Sequence, residues 1–385
     1  MIRERLARIL GSGKCTLLGV GPMSKNCVDA TLNLANRHDV PLMLIASRRQ
    51  VDAEEFGGGY VNRWNTASLA GYVAQRDKRR NIILSRDHGG PWQNPLEVDR
   101  GLDLAAAMES AKLSYLRDIE NGFSVIHIDP SLALGTAPEV DQVLERIFEL
   151  YEFCCETANR LGKEIIIEVG AEEQKAHANS IEELNYFAGR LKDFCAKSGL
   201  QSLSFIVVQT GTRVVETRNV GVLQSWFEPG SEPMQAQILD LLETTARHGF
   251  WVKQHNTDYL PATILDLHPR LGIHAANVAP EFGVVETRAL LKLCREHHLV
   301  HLEETLLKEA FESRKWEKWM TPGTTAPDLD RAVISAHYVF SHPEVEDAKR
   351  EAMVCLEKKN IDLDTVLVNA VEASIELYLK AFRLV

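Results

Sequence analysis

The sequence predicts an α/β protein, a (β/α)8 TIM barrel followed by a helical extension, on three observations. Short apolar runs rich in β-branched residues recur eight times. Each is followed by an amphipathic stretch of helical period, and strands alternating with helices imply a parallel sheet. No G-x-G-x-x-G follows the first strand, which removes the main support for an open dinucleotide-binding sheet. With 385 residues, 45% of them hydrophobic, the chain can bury a barrel core of about 250 residues and still carry an appendage.

Taken in order, the strand signals fall near Thr16–Val20, Leu42–Ala46, Asn81–Ser85, Ser124–Asp129, Glu164–Val169, Ser204–Gln209, Trp251–His255 and Gly272–Ala276. Helical stretches lie between them at Asn26–Arg37, Leu102–Glu120, Ala137–Leu161, Ser180–Lys197, Pro233–Arg247 and Val284–Glu296. Ser180 with Glu183 fits a capping box. Gly11-Ser-Gly-Lys14-Cys15 imitates a phosphate loop, but it precedes its strand and has Cys15 where Ser or Thr is required. The strand signal stops near residue 298. Residues 1–298 therefore read as the barrel and 299–385 as a helical extension serving as lid or oligomer contact, broken at Met320–Pro327 and at His342-Pro343.

A net charge of -11 argues against nucleic acid or an anionic membrane as the main partner, though local arginines can still bind a small anion. Seven cysteines without a C-x-x-C pair read as reduced thiols. The N-terminus lacks a signal-peptide core, and no run approaches the roughly 20 apolar residues of a membrane helix. A cytoplasmic protein is expected.

In a parallel barrel, functional groups collect at the C-terminal ends of the strands. Here those ends carry Arg48-Arg49-Gln50, Asp87-His88, Asp129, Glu168 with Glu172, Gln209, His255 with Asp258, and Asn277 with Glu281. His127 and Asp129 are two apart, so both face one side of the sheet. An open zinc site takes three His or carboxylate ligands, and His88, Glu172 and His255 supply that set from three strand ends. Asp87, beside a ligand, is placed to take a proton from a substrate hydroxyl. His297, His298 and His301 have ligand spacing too, but they end a polar helix.

Val51, Phe56–Tyr60, Asp87-His88-Gly89-Gly90-Pro91-Trp92, Ile126–Asp129, Val169–Glu172, Val207–Gly211 and His255-Asn256-Thr257-Asp258-Tyr259 occur in one order. In these stretches, spread over residues 15 to 345, the chain resembles the non-catalytic subunit family of class II tagatose-bisphosphate aldolase, which includes ketose-phosphate 4-epimerases. The resemblance implies metal-dependent cleavage or re-formation of a ketose carbon–carbon bond. It places the metal, Zn2+ with Mn2+ or Co2+ as alternatives, on His88, Glu172 and His255, and the base at Asp87. Asp129 and Asp258 are then further catalytic carboxylates, which with Gln209 orient ligands or bind hydroxyls. A sugar or sugar derivative is the implied substrate. A homo-oligomer is expected, and the alternative role is a partner subunit stabilising a separate class II aldolase.

This sequence departs from the family in informative places. Ile45 replaces a Glu, Ser85-Arg86 replaces Gly-Gly, and Asn277, expected to bind substrate, replaces a Lys. An arginine-rich stretch near the C-terminus becomes Val333–Tyr338. Glu281 sits just past the eighth strand, where such barrels often seat a phosphate, and would repel one. In exchange, Arg48, Arg49, Arg86 and Arg213 lie at or beyond strand ends, and an anionic substrate group held by some of them is expected.

Overall fold

The computed structural model describes all residues except 1, 12, 137, 171–179 and 202–203. Eight parallel strands close into a barrel in sequence order: β1 Leu17–Val20, β2 Leu42–Ser47, β3 Ile82–Gly89, β4 Val125–Ile128, β5 Ile166–Val169, β6 Phe205–Val207, β7 Trp251–Gln254 and β8 Ala275–Val278. All eight expected strands form. Two differ by three residues or more at one end. β3 runs on through Asp87, His88 and Gly89, four residues beyond the expected end at Ser85. β8 starts three residues later than expected, because Gly272 ends the helix Leu267–Leu271 with a φ of 76° that only glycine adopts at little cost.

Strand alternation sorts the side chains into two cores. Leu17, Met43, Ile45, Ile83, Val125, Ile166, Phe205 and Ala275 fill the barrel interior. Leu6 and Leu10, from the amphipathic helix Ile2–Leu10, join that cluster and plug the N-terminal end. The intervening residues, such as Leu18, Leu44, Ile126, Ile167, Ile206 and Val252, pack outward against the helices. Those helices begin where the sequence supplies caps. Ser24 accepts from the Cys27 amide, Asp103 from Ala106, and Ser180 from Glu183, the first half of the expected box.

The last 87 residues form the helices Val300–Glu312, Asp328–Ser335, Pro343–Glu357 and Leu363–Ala381 with short 3-10 turns between them. Most build a second apolar cluster against one face of the helix Pro280–His297. The last helix returns to the barrel layer, where Val371, Ile375, Tyr378 and Phe382 enter the main core. Among the described residues no helix is long and apolar enough to cross a membrane.

Candidate active site

The interior residues of β3, β4, β5, β7 and β8 change from apolar to polar towards the C-terminal ends. Asp87, His127, Glu168, Lys253 and Asn277 each lie two or four residues beyond an interior apolar residue, so alternation aims them at the barrel axis. Lowest is an ion pair, Lys253 Nζ donating to Glu168 Oε2 at 2.6 Å with both side chains fully enclosed. Burial opposes the charge on Glu168, yet Lys253, His127 and His255 hold its carboxyl down at about 2.

Above that pair three imidazoles converge. His88, His127 and His255 each offer a ligand atom, and these atoms lie within 4.8 Å of one another. The ring centroids are 5.0–5.4 Å apart. Asp87 Oδ1 stands 3.8 Å from both His127 Nδ1 and His255 Nε2, and accepts from Asn277 Nδ2 at 3.0 Å. Asp129 Oδ2 meets His88 Nδ1 at 2.7 Å, the carboxylate–histidine contact that orients metal-binding imidazoles.

Asp87 and His88 are neighbours and would point to opposite faces of a regular strand. The β3–β4 register shifts between Arg86 and Gly89, and His88 has a φ of 42°. This irregularity turns both side chains towards the axis, as bulges at barrel rims do. Burial works against the charge of His88, but the Asp87 and Asp129 carboxylates hold its imidazole up at about 9. Asp87 is likewise held well below the usual carboxylate range against its own burial, by the three histidines. Its carboxylate is therefore ionised at neutral pH.

A cavity of about 580 Å³ opens over this cluster. Asp87, His88, Asp129, His255, Asp258 and Asn277 form its barrel side, and Lys318, Trp319 and Tyr338 of the C-terminal extension form the opposite wall. Asp258 Oδ1 accepts from the Ala279 and Glu281 amides at 2.9 Å, at the start of the helix Pro280–His297. Burial and the nearby Glu281 push its carboxyl up to about 7.

Of the expected metal ligands, His88 and His255 meet, and Glu172 lies outside the described residues. His127 stands with them instead. Its Nε2 is buried without a hydrogen-bond partner among the described residues. Its parity with Asp129 was readable in the sequence; its role as a ligand was not inferred. Gln93, whose Nε2 donates to the Asp129 carboxylate at 3.2 Å, was also missed.

The arginine expectation needs correcting at three positions. Arg86 has the parity of Leu84 and points into the helix layer, where it pairs with Asp118 through Nε at 2.7 Å and Nη2 at 2.6 Å and donates to the Ala46 and Val51 carbonyls. Arg48 is equally enclosed, bound to Asp52, Glu97 and the Gly90 carbonyl. Neither can reach a substrate. Arg213 is exposed in the loop after β6, Gln209 is buried with its Oε1 on the Thr212 amide, and neither lines the cavity. Arg49 does line it.

No protein-family profile and no curated protein matches the sequence. Solved structures do. A probable tagatose 6-phosphate kinase from Sinorhizobium meliloti superposes with a TM-score of 0.75 at 18% identity, over 95% of this chain and 100% of that one. A fructuronate-tagaturonate epimerase from Cohnella laeviribosi, complexed with glycerol, gives 0.60 at 11%, over 96% and 82%. A fructose-bisphosphate aldolase from Campylobacter jejuni gives 0.52 at 13%, over 100% and 94%. The barrel shares its fold with these structures. At these identities the likeness is one of fold, and the chemistry has to be argued from the side chains.

Proposed function

We propose that this chain is a metal-dependent sugar aldolase or 4-epimerase that works on a ketose or ketose derivative by retro-aldol chemistry. The observation that carries the reading is the cluster itself: three histidine ligand atoms within 4.8 Å, with the Asp87 carboxylate 3.8 Å from two of them, under an open cavity. The donor set fits a divalent cation. Three imidazoles with open positions suit zinc, and a buried Nε2 at His127 without a partner among the described residues is what an ion would satisfy. Glu172, which the resemblance also makes a ligand, follows β5 in the sequence and lies outside the described residues. When bound, the ion would supply Lewis-acid polarisation of the substrate carbonyl and hydroxyl oxygens.

The chain's own residues account for the rest. Asp87 takes the proton of the C4 hydroxyl. The C4–O electrons then form the aldehyde carbonyl as the C3–C4 bond breaks, and that bond pair delocalises onto the C2 carbonyl as an enediolate. Asn277 fixes the Asp87 carboxylate, and Asp129 fixes His88. Release of the aldehyde gives an aldolase. Rotation of the aldehyde, re-addition and return of the proton from Asp87 give inversion at C4. The comparison proteins named as acting on fructose bisphosphate and on a pair of keto acids differing at C4 agree with this class of reaction.

The test is metal analysis of the purified chain, of His88→Ala and of His127→Ala, followed by an NMR screen of ketoses for C4 inversion or cleavage. Bound metal and turnover should disappear together in both variants. A metal-free wild-type chain that co-purifies with a separate aldolase would instead make it a partner subunit.

A further inference from the structure

We propose that the substrate carries a carboxylate or a phosphate, and that Arg49 and Lys318 bind it on the wall of the cavity away from the histidines. The inference rests on the retro-aldol reading of this cavity. Four observations carry it.

Both cations line the cavity, and neither has a carboxylate partner among the described residues. The contrast with Arg48 and Arg86, each enclosed in ion pairs, is sharp.

A continuous chain of contacts brings the two to one wall. The Tyr60 amide donates to the Arg49 carbonyl at 3.1 Å. The Tyr60 ring meets Tyr338 edge-on at 4.8 Å. Lys318 Nζ lies 5.1 Å from the Tyr338 ring and 4.6 Å from that of Trp319.

Lys318 is held in place. The Trp319 carbonyl accepts from the Glu216 amide at 2.7 Å, which ties this turn of the extension to the loop after β6.

The usual anion seat of such barrels is closed. The first amides of the helix after β8 already bind the Asp258 carboxylate, and Glu281 stands beside them. With those amides taken, Arg49 and Lys318, the arginine and lysine among the described residues that line the cavity, are left to attract the anion. A ketose acid or ketose phosphate thus spans the cavity, its reacting carbons at Asp87 and its anion under the C-terminal extension.

Binding tests this without turnover. The full chain, stripped with EDTA, is titrated calorimetrically with D-gluconate, D-glucitol 6-phosphate and neutral D-glucitol. One of the two anionic polyols should bind at least about tenfold more tightly than glucitol, and which one does so separates carboxylate from phosphate. Arg49→Ala and Lys318→Ala should each remove most of that preference, while Arg49→Lys and Lys318→Arg restore part of it. Equal binding of glucitol, no binding of either anion, or a preference that survives in the double alanine variant would overturn the proposal. Because no bond is broken in this assay, loss of the retro-aldol reading shows separately, as wild-type chain that neither holds metal nor inverts a ketose.

Discussion

A φ of 42° at His88 lets two adjacent side chains share one cavity, and Gly170 clears the space beside a third. A Cβ at Gly170 would stand 2.7 Å from His127 Nε2, well inside contact distance. Gly170→Ala should therefore lower bound metal by about tenfold or more while leaving the circular dichroism unchanged; full metal content in that variant would remove His127 from the ligand set. Asp87→Asn keeps the shape of the site and removes the base. Its turnover should fall by roughly 10²–10⁴ with the metal retained, as read by NMR and metal analysis. His337 gives a test at a distance from the chemistry. It is buried with neither ring nitrogen hydrogen-bonded among the described residues, and burial, with Lys318 nearby, pushes its imidazole down to about 3. The unfolded chain takes up a proton below the ordinary value of 6.5, whereas the folded chain does not until about 3. Stability is therefore full above 6.5 and falls as the pH drops through that window. Between pH 7 and pH 5 the loss from this group should be on the order of 2 kcal/mol. Urea midpoints at the two values measure it, and His337→Phe, which keeps the ring contacts with Tyr60 and Tyr338, should show a smaller fall.

At the scale of the element, β3 shows how one strand serves two layers. Ile83, Ser85 and Asp87 face inward, and Leu84 and Arg86 face the helices, until the irregularity at His88 breaks the alternation. The outward residues do structural work: Arg86 binds Asp118 of the helix Leu104–Glu120 in two places and ties it to the backbone of β2. Arg86→Ala would leave a buried, uncompensated carboxylate. It should cost about 3–5 kcal/mol, seen as a lower urea midpoint. Arg86→Met with Asp118→Leu, which removes both charges, should recover much of that loss. A stable Arg86→Ala chain with a raised KM would return Arg86 to the substrate site.

At the scale of the molecule, the barrel supplies the cluster and the extension supplies the wall that faces it. Their packing is shared, since Tyr378 of the last helix donates to Glu281 beside the eighth strand. Metal binding to three elements far apart in the chain should stabilise the whole fold. At a free zinc concentration 100-fold above Kd the gain is about 2.7 kcal/mol. A higher Tm with zinc, reversed by EDTA and absent in His127→Ala, is the expected thermal-shift result.

The alternation of eight apolar runs with amphipathic stretches was enough to determine the barrel, because burial of those runs has few solutions once every strand is followed by a helix. The same period of two placed Asp87, His127 and Asp129 on the axis, and it also held the information that Arg86, next to Asp87, must face outward. Three things needed the folded chain. A local backbone irregularity, invisible to periodicity, turned His88 inward. Closure of the barrel brought ligand atoms of His88, His127 and His255 within 4.8 Å of one another, making His127 a neighbour of residues up to 128 positions away. Packing of the C-terminal helices carried Lys318 over the opening. Each depends on contacts between segments remote in sequence, which no local pattern encodes.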